Sequence, residues 1–161
     1  MPTAAWVDLA PGKREPDWVI LAREYTKCKR TVILHVASWK AYTATQTLQW
    51  ESVPYNSDKD PDDERGVYAF VLDASKHAPS PIPPHCVVLY VGETGHSGGA
   101  TFKSRLRNYR NKKAQRERPR IYNMLEAWHD SLLFFYARVN SGISTKTCET
   151  ELLDALLPPA N

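Results

Sequence analysis

The hydrophobic positions in the second half of the chain fall into three continuous runs, which predict three β-strands. Residues 67–72, 87–91 and 132–139 are almost entirely apolar or aromatic. Short continuous runs of this kind are typical of strands that are covered on both faces. Residues 78–85 follow the first run and contain four prolines, which support neither a helix nor a strand ladder. We therefore expect a loop there.

Three further stretches have the spacing of helices. Residues 102–113, 121–128 and 147–157 predict helices, and Pro158 and Pro159 end the last of them. The first two strands are joined by a loop without a helix, which favours an antiparallel pair. The pattern predicts a mixed α/β fold of the α+β type, with a small three-stranded, mainly antiparallel sheet flanked by helices.

The first 65 residues give a weaker pattern. Residues 17–30 have helical spacing, and residues 31–36 fit either a short strand or a continued helix. Residues 37–56 show no firm pattern, whereas residues 56–65 are rich in aspartate and predict a surface loop. We interpret residues 1–65 as an N-terminal extension of unassigned role and residues 66–161 as the functional domain.

Composition narrows the class of protein. The chain has 161 residues, of which 42% are hydrophobic and 24% charged, as expected for a folded domain. No apolar run is long enough to span a bilayer and the start lacks a signal-peptide pattern, so we expect a cytoplasmic protein. Cys28, Cys86 and Cys148 are odd in number and widely spaced, which favours free thiols.

Charge is distributed unevenly along the chain, although the net charge is only +3. Residues 103–120 contain nine basic residues, opposed only by Glu117, whereas residues 58–64 contain five acidic ones. The basic residues are Lys103, Arg105, Arg107, Arg110, Lys112, Lys113, Arg116, Arg118 and Arg120. This separation predicts a basic face that binds a polyanion. A solvated helix and loop is the simpler alternative.

Two tyrosines lie on the predicted strands. Alternation along a strand places Tyr68 on one face with Phe70, and Tyr90 on one face with Val88 and Gly92. If the two strands pair, both phenols project to the same side. Packing is the alternative to a chemical role for each tyrosine. Two glycines beside the tyrosines would leave room for a ligand to approach the backbone; they are Gly66 and Gly92.

Arg105 and Tyr109 are four residues apart on the predicted basic helix, so they share a face. Arginine supplies planar donors that match phosphate oxygens and stabilise charge building up on phosphorus. A solvent-exposed charge is the alternative, because spacing alone does not distinguish Arg105 from the other basic residues of the segment.

Glu149 lies on the apolar side of the last predicted helix. Leu152, Leu153 and Leu156 form the apolar stripe, and Glu149 precedes them by three, four and seven residues. A carboxylate that turns inward without a partner is strongly destabilising. Glu149 therefore needs a partner, which is either the helix amides, an arginine or a metal ion.

Five short motifs resemble, in their order along the chain, those of the GIY-YIG nuclease family. They are Gly66-Val67-Tyr68, Tyr90-Val91-Gly92, Arg105, Glu149 and Asn161. Residues 102–109 (F-K-S-R-L-R-N-Y) are similar to the family's helix with an arginine and, one turn later, a tyrosine or histidine. Residues 149–161 (E-T-E-L-L-D-A-L-L-P-P-A-N) look like its closing helix. The resemblance covers residues 66–161.

The resemblance implies a metal-dependent endonuclease that hydrolyses phosphodiester bonds in DNA. Glu149 would hold a single divalent cation, Mg²⁺ with Mn²⁺ as a substitute. Tyr68 would act as general base or orient the attacking water. Tyr90 and Arg105 would bind and neutralise the phosphate, with Tyr109 next to it.

The resemblance also implies roles outside the reaction itself. Asn161 would hold the site together through hydrogen bonds. Further basic residues would follow the phosphates of the DNA; they are Lys103, Arg107, Arg110, Lys112 and Lys113. The expected partner is duplex DNA, branched or site-specific, and a homodimer is one option. We expect no membrane and no small-molecule organic cofactor.

The chain departs from the family pattern in three places. Residues 78–85 form a longer loop than usual, and residues 96–101 are an insertion. Glu93 follows the Tyr-Val-Gly where many members have a lysine, so it either faces away from the phosphate or helps to hold the metal. Three alternatives stay open: a non-cleaving nucleic-acid-binding module on the same scaffold, a protein that cuts or binds structured RNA, and a structural domain in which the motifs arise by chance.

Overall fold

The computed structural model describes residues 42–73, 86–96, 98–111, 118–156, 158 and 160–161. The strands in these residues are β1 (Glu51–Pro54), β2 (Gly66–Asp73), β3 (Cys86–Thr94) and β4 (Leu132–Arg138). The helices are α1 (Phe102–Arg110), α2 (Pro119–Ala127) and α3 (Thr145–Leu156). The elements predicted for residues 17–30 and 31–36 and the loop predicted for residues 78–85 lie outside the described residues, as do Cys28, Lys112 and Lys113.

One antiparallel sheet contains all four strands, in the order β1-β4-β2-β3. In β2, Tyr68 lies opposite Gly92 of β3 and opposite Tyr136 of β4. The predicted antiparallel pairing of the first two apolar runs is confirmed, as is the α+β class of the fold. The interior position of β2 explains its continuous apolar run, because both of its faces are covered.

The prediction of three strands is wrong, because β1 adds a fourth strand at one edge of the sheet. β1 has four residues and pairs with β4, where Ser52 lies opposite Phe135. Only Val53 of β1 is buried, so the strand has neither an apolar run nor a detectable alternation. Pro54 lacks an amide hydrogen, which an edge strand tolerates. The sheet therefore includes chain that precedes Gly66.

Helices cover the two faces of the sheet, and each face has its own hydrophobic cluster. α1 and α2 cover one face, where Leu106 belongs to the same cluster as Phe70. α3 covers the other face, where Leu152 belongs to the same cluster as Val67. We call these the tyrosine face and the α3 face, since Tyr68 lies on the first. Within the described residues, no helix has the length and apolar character of a membrane span.

A β-bulge in β3 changes the side of the sheet on which Val88 lies. Phe70 pairs with Tyr90, whereas the next residue, Val71, pairs with Val88, which leaves Leu89 as the extra residue. Leu89 and Tyr90 both join the tyrosine face, and Val88 packs on the α3 face. The prediction that Val88 and Tyr90 share a face is therefore wrong, because the extra residue interrupts the alternation.

A capping box fixes the start of α1. The Thr101 hydroxyl accepts from the Ser104 amide at 3.3 Å, and the Ser104 hydroxyl accepts from the Thr101 amide at 2.9 Å. Thr101 also donates to the carboxylate of Asp63 at 2.5 Å, and the Phe102 amide donates to the Glu64 carbonyl at 2.9 Å. The loop before β2 is thereby tied to α1, which sets the position of the helix over the sheet.

Candidate active site

Three buried tyrosines meet on the tyrosine face: Tyr68 of β2, Tyr90 of β3 and Tyr109 of α1. The hydroxyl oxygens of Tyr68 and Tyr109 are 2.9 Å apart and share a hydrogen bond. The ring centroid of Tyr68 lies 6.1 Å from that of Tyr90 and 6.2 Å from that of Tyr109. We call these three residues the tyrosine cluster. The predicted projection of Tyr68 and Tyr90 to the same side is confirmed.

Apolar surroundings keep the phenols of Tyr68 and Tyr109 neutral. The Phe134 ring stacks on Tyr68 with a centroid distance of 5.2 Å. Burial raises the pKa of Tyr68 well above its usual value, and the neighbouring Tyr109 and Tyr90 raise it further. Burial likewise raises the pKa of Tyr109. Both phenols are therefore protonated at neutral pH and are suited to donate hydrogen bonds rather than to accept protons.

These raised pKa values predict that the protein loses stability at alkaline pH. A group with a higher pKa in the folded state stabilises the fold below its unfolded pKa, and this contribution is lost as the pH rises towards the folded pKa. For Tyr68 and Tyr109 the loss begins near the usual phenol pKa of 10.0. Each contributes a slope of up to about 1.4 kcal/mol per pH unit.

The measurement is the free energy of urea unfolding between about pH 8 and pH 11. We expect it to fall above pH 10.0 in the parent and to fall less steeply in Tyr68→Phe, which removes one of the shifted phenols. If the unfolding free energy fell equally steeply with pH in both proteins, the pKa of Tyr68 would not be raised in the folded state.

Arg105 of α1 places a guanidinium beside the tyrosine cluster. Burial is the main influence on the pKa of Tyr68 and raises it, and the positive charge of Arg105 partly opposes that increase. The Nε atom of Arg105 is buried and has no hydrogen-bond partner within the described part of the chain. A buried donor without an acceptor costs about 1–3 kcal/mol. An anionic ligand oxygen would supply the acceptor.

Arg118 is a second guanidinium at the tyrosine cluster, and sequence reasoning did not single it out as a site residue. Burial has the largest single effect on the pKa of Arg118 and lowers it. The nearby phenols, of which Tyr109 has the largest effect, together raise the pKa above its usual value. Arg118 directly precedes α2, which begins with Pro119. The Arg-Pro pair was the available signal, because proline at the first position of a helix marks where the helix starts.

Gly66 and Gly92 provide space for other protein atoms, which differs from the predicted approach of a ligand. A β-carbon at Gly66 would lie 2.1 Å from the carbonyl oxygen of Ala137 and 2.7 Å from the ring of Phe102. A β-carbon at Gly92 would lie 2.5 Å from the ring and hydroxyl of Tyr68. The absence of a side chain at Gly92 therefore seats Tyr68 in the tyrosine cluster.

Glu149 of α3 is buried, as the sequence predicts, and its partner is a lysine. The residue is 8% exposed, and its Oε2 atom lies 2.5 Å from the Nζ atom of Lys146. The Lys146 side chain is 54% exposed. Glu149 has the largest effect on the pKa of Lys146, which it raises, and Glu93 and Tyr90 raise it further. Lys146 is therefore the partner of the Glu149 carboxylate on α3, and within the described residues no hydrogen bond joins either side chain to the tyrosine cluster.

Glu149 is the residue that the sequence predicts to hold a divalent cation. In the part of the chain that the structure describes, no group of three or more His, Cys, Asp or Glu side chains is placed to hold a metal ion. Mg²⁺ typically binds one or two carboxylates together with waters and substrate phosphates. A single inward carboxylate fits this mode once the exposed Lys146 moves away. Glu149 is therefore the residue that would hold Mg²⁺.

Glu93 lies on the α3 face, away from the rings of the tyrosine cluster. Its carboxylate accepts hydrogen bonds from the Thr145 hydroxyl at 2.8 Å and from the His96 amide at 3.1 Å. Thr145 is the first residue of α3. The acidic residue that follows the Tyr-Val-Gly is thus occupied in joining β3 to α3.

Asn161 binds the free edge of β3 beside Tyr90. Its Nδ2 atom donates to the Val91 carbonyl at 2.7 Å, and its Oδ1 atom accepts from the Val91 amide at 2.9 Å. The Ala160 amide donates to the Leu89 carbonyl at 2.9 Å. The side-chain amide of Asn161 therefore takes the place of a neighbouring strand and holds the backbone on both sides of Tyr90.

Asp60, in the loop before β2, gathers three basic side chains of α1. Its carboxylate lies 2.6 Å from Arg107, 3.4 Å from Arg110 and 3.7 Å from Lys103. The hydrogen bond from Arg107 is the largest influence on the pKa of Asp60 and lowers it. Arg110 also donates to the Tyr55 carbonyl at 2.9 Å. The acidic and basic segments are thus adjacent in space, so the expected basic face is partly neutralised.

A cleft of about 440 Å³ opens beside the tyrosine cluster. Its lining combines Tyr90, the first turn of α2 with Arg118 and Arg120, and the chain end with Ala160 and Asn161. The cleft thus meets the tyrosine cluster at Tyr90.

The structure places some of the predicted site residues close together, whereas others contact different partners. Tyr68, Tyr90, Tyr109 and Arg105 lie together, whereas Glu149 belongs to α3, which covers the other face of the sheet. The basic residues predicted to follow DNA are instead paired with Asp60 in three cases, namely Lys103, Arg107 and Arg110. Comparison with family models, with curated proteins and with solved structures gives no match.

Proposed function

We propose that this chain is a metal-dependent endonuclease of the GIY-YIG type that hydrolyses phosphodiester bonds in duplex DNA. The motif order along the sequence supports the proposal. The same residues, viewed as chemistry alone, offer neutral phenols, guanidinium donors and one inward carboxylate. Such groups suit a phosphate whose negative charge increases as water attacks phosphorus.

One observation carries most weight: the buried Nε atom of Arg105 has no acceptor among the described residues, and it belongs to a guanidinium beside three buried phenols. Folding does not favour such an arrangement, because the unpaired donor is destabilising. A phosphate oxygen would satisfy the donor and would accept further hydrogen bonds from the phenols. The unpaired donor of Arg105 therefore supports the proposal of a phosphate site.

Each side chain has a part in the proposed reaction. Arg105 and Tyr90 bind the oxygens of the scissile phosphate and neutralise its charge. Tyr68 orients the attacking water, because its raised pKa makes it a poor general base at neutral pH. Tyr109 fixes the Tyr68 hydroxyl through their 2.9 Å hydrogen bond.

Glu149 is the proposed metal ligand. A bound Mg²⁺ supplies Lewis-acid stabilisation of the phosphate and of the leaving oxygen. Lys146 neutralises the Glu149 carboxylate when no cation is bound, and its exposed side chain moves into solvent when one binds. A buried carboxylate is thereby kept paired in both states, which avoids the energy of an isolated buried charge.

A non-cleaving nucleic-acid-binding module is the second candidate, and the pairing of Glu149 with Lys146 favours it. A carboxylate that already has a cationic partner at 2.5 Å has no need of a metal ion. In this alternative, Glu149 and Lys146 form a structural ion pair and the tyrosine cluster only binds phosphate.

The test of the proposed function is hydrolysis of a fluorescently labelled DNA duplex by the purified chain. We expect cleavage with Mg²⁺ and none after addition of EDTA, because metal ligation by Glu149 is part of the proposed site. DNA binding without cleavage, with Mg²⁺ and with Mn²⁺, would favour the binding module. A structured RNA of matched length in parallel distinguishes the two nucleic acids.

Asp60→Asn is expected to strengthen DNA binding. The substitution releases Lys103, Arg107 and Arg110 from their shared carboxylate, so three positive charges become available to phosphates. Exposed ion pairs are worth up to about 1 kcal/mol, so we expect an affinity about 2- to 5-fold higher at low salt. Fluorescence anisotropy with the labelled duplex in EDTA measures this change without cleavage.

The matched control is Asp154→Asn, which removes the same charge from an exposed position on α3. If both variants gain the same affinity, net charge alone explains the effect and the Asp60 contacts have no special role.

A further inference from the structure

Two arginines line the cleft beside Tyr90. Arg118 directly precedes α2 and Arg120 lies in its first turn, and both line the cleft. Pro119, Ile121 and Ala160 supply an apolar part of the lining. A volume of about 440 Å³ lies within the range of small-molecule sites and is sufficient for a nucleotide unit.

These arginines differ from the basic residues of α1 in their partners. Lys103, Arg107 and Arg110 share Asp60, whereas no carboxylate among the described residues forms an ion pair with Arg118 or Arg120. Arg118 lines the cleft together with Tyr90, and the Tyr109 phenol has the largest effect among the groups that raise the pKa of Arg118. Among the described residues that line the cleft, no aspartate or glutamate side chain offsets the charge of the two guanidiniums.

The position of Arg118 relative to Arg105 indicates what the cleft binds. Arg105 belongs to α1, whereas Arg118 directly precedes α2. Arg118, unlike Arg105, is among the residues that line the cleft with Tyr90. If one phosphate binds at Arg105, Arg118 has no anion to bind. In a polynucleotide, the next phosphate along the same strand would be available to Arg118.

We propose that the cleft is a second phosphate subsite, in which Arg118, assisted by Arg120, binds a phosphate adjacent to the scissile one. The proposal rests on the proposed function and extends it to a residue outside the recognised motifs. The sugar of the same nucleotide unit packs against the apolar part of the lining. Two phosphates held on either side of Tyr90 fix the path of the strand across the site, so that the scissile phosphate is presented in one orientation.

The test compares Arg118→Gln with Arg105→Gln and with the control Arg107→Gln, whose guanidinium is paired with Asp60. Affinity for a labelled DNA duplex is measured in EDTA over a series of salt concentrations. We expect Arg118→Gln to reduce the slope of log affinity against log salt by about one, since one phosphate contact is lost. Arg118→Lys retains the charge and is expected to restore the slope. Arg107→Gln is expected to change it less.

Each outcome has a distinct meaning. If Arg105→Gln lowers the slope and Arg118→Gln does not, the second subsite is refuted while the phosphate site at Arg105 stands. If neither variant changes the slope, DNA does not contact the tyrosine cluster, and the proposed function fails together with the subsite. If Arg118→Gln reduced the slope and Arg118→Lys did not restore it, Arg118 would have a packing role. That result would also overturn the proposal. Arg120→Gln, with a smaller loss expected, provides a second variant at the cleft.

Discussion

Glu149→Gln is expected to reduce Mg²⁺-dependent cleavage of DNA by about 10³-fold, the largest functional effect that we predict. Glutamine has nearly the shape of glutamate but lacks the charge that attracts a divalent cation. The loss corresponds to several kcal/mol of stabilisation that the metal supplies to the reacting phosphate. Single-turnover cleavage of a labelled duplex by the parent and the variant measures this ratio.

The variant should keep its fold and its affinity for DNA. Lys146 loses its partner but remains half exposed, so no charge is left buried. Asp154→Asn is the matched control, because it makes the same chemical change at an exposed position of α3, the helix of Glu149. Asp154→Asn should cleave like the parent. A similar loss in both variants would mean that charge on α3, rather than a metal ligand, determines the rate.

Gly66→Ala is expected to cause the largest loss of stability. The new β-carbon would lie 2.1 Å from a backbone oxygen of β4, at Ala137, and 2.7 Å from the Phe102 ring. A backbone clash between two central strands is not relieved by rotation of a side chain. We expect a free energy of unfolding lower by at least about 3 kcal/mol, which corresponds to a melting temperature lower by about 6–12 °C.

Gly142→Ala provides the control, since a β-carbon there has no neighbour within 4 Å. We expect a change of less than about 1 kcal/mol in this variant. Urea unfolding of both proteins gives the comparison. If Gly66→Ala were as stable as the parent but bound DNA less tightly, then Gly66 would be needed for the approach of a ligand, as the sequence alone predicted.

The two central strands of the sheet were predicted correctly because most of their residues are buried. β2 and β4 lie within the sheet and are covered on both faces, so their apolar runs identify them. β1 escaped prediction because an edge strand with one buried residue, Val53, has almost no pattern. Val88 was assigned to the wrong face because the bulge at Leu89 depends on how β2 and β3 pair, which neither strand encodes by itself.

Part of the candidate site was also accessible from the sequence. Alternation placed Tyr68 and Tyr90 on a common side, and helical spacing turned Glu149 inward. The partner of Glu149 was missed because the predicted helix began at residue 147, whereas α3 begins at Thr145 and includes Lys146, three residues before Glu149. The predicted catalytic roles of these residues stay predictions until cleavage is measured.

The features of the site that the sequence did not predict depend on contacts between distant parts of the chain. Asp60 precedes Arg107 by 47 residues, and the two side chains meet because contacts such as that between Thr101 and Asp63 hold the loop before β2 against α1. The sequence did not distinguish Arg118 from the other eight basic residues of its segment. Its position beside the tyrosine cluster depends on where α2 begins. Gly92 is required because a ring from the neighbouring strand, that of Tyr68, lies over it.

The most direct test of the account is the conversion of supercoiled plasmid to nicked circles in Mg²⁺, by the parent and by Glu149→Gln purified in the same way. The account predicts nicking by the parent and none by the variant, while both bind the plasmid with similar, salt-sensitive affinity. Equal nicking by both proteins would contradict Glu149 as the metal ligand. Binding without nicking by the parent, in Mg²⁺ and in Mn²⁺, would contradict the nuclease itself.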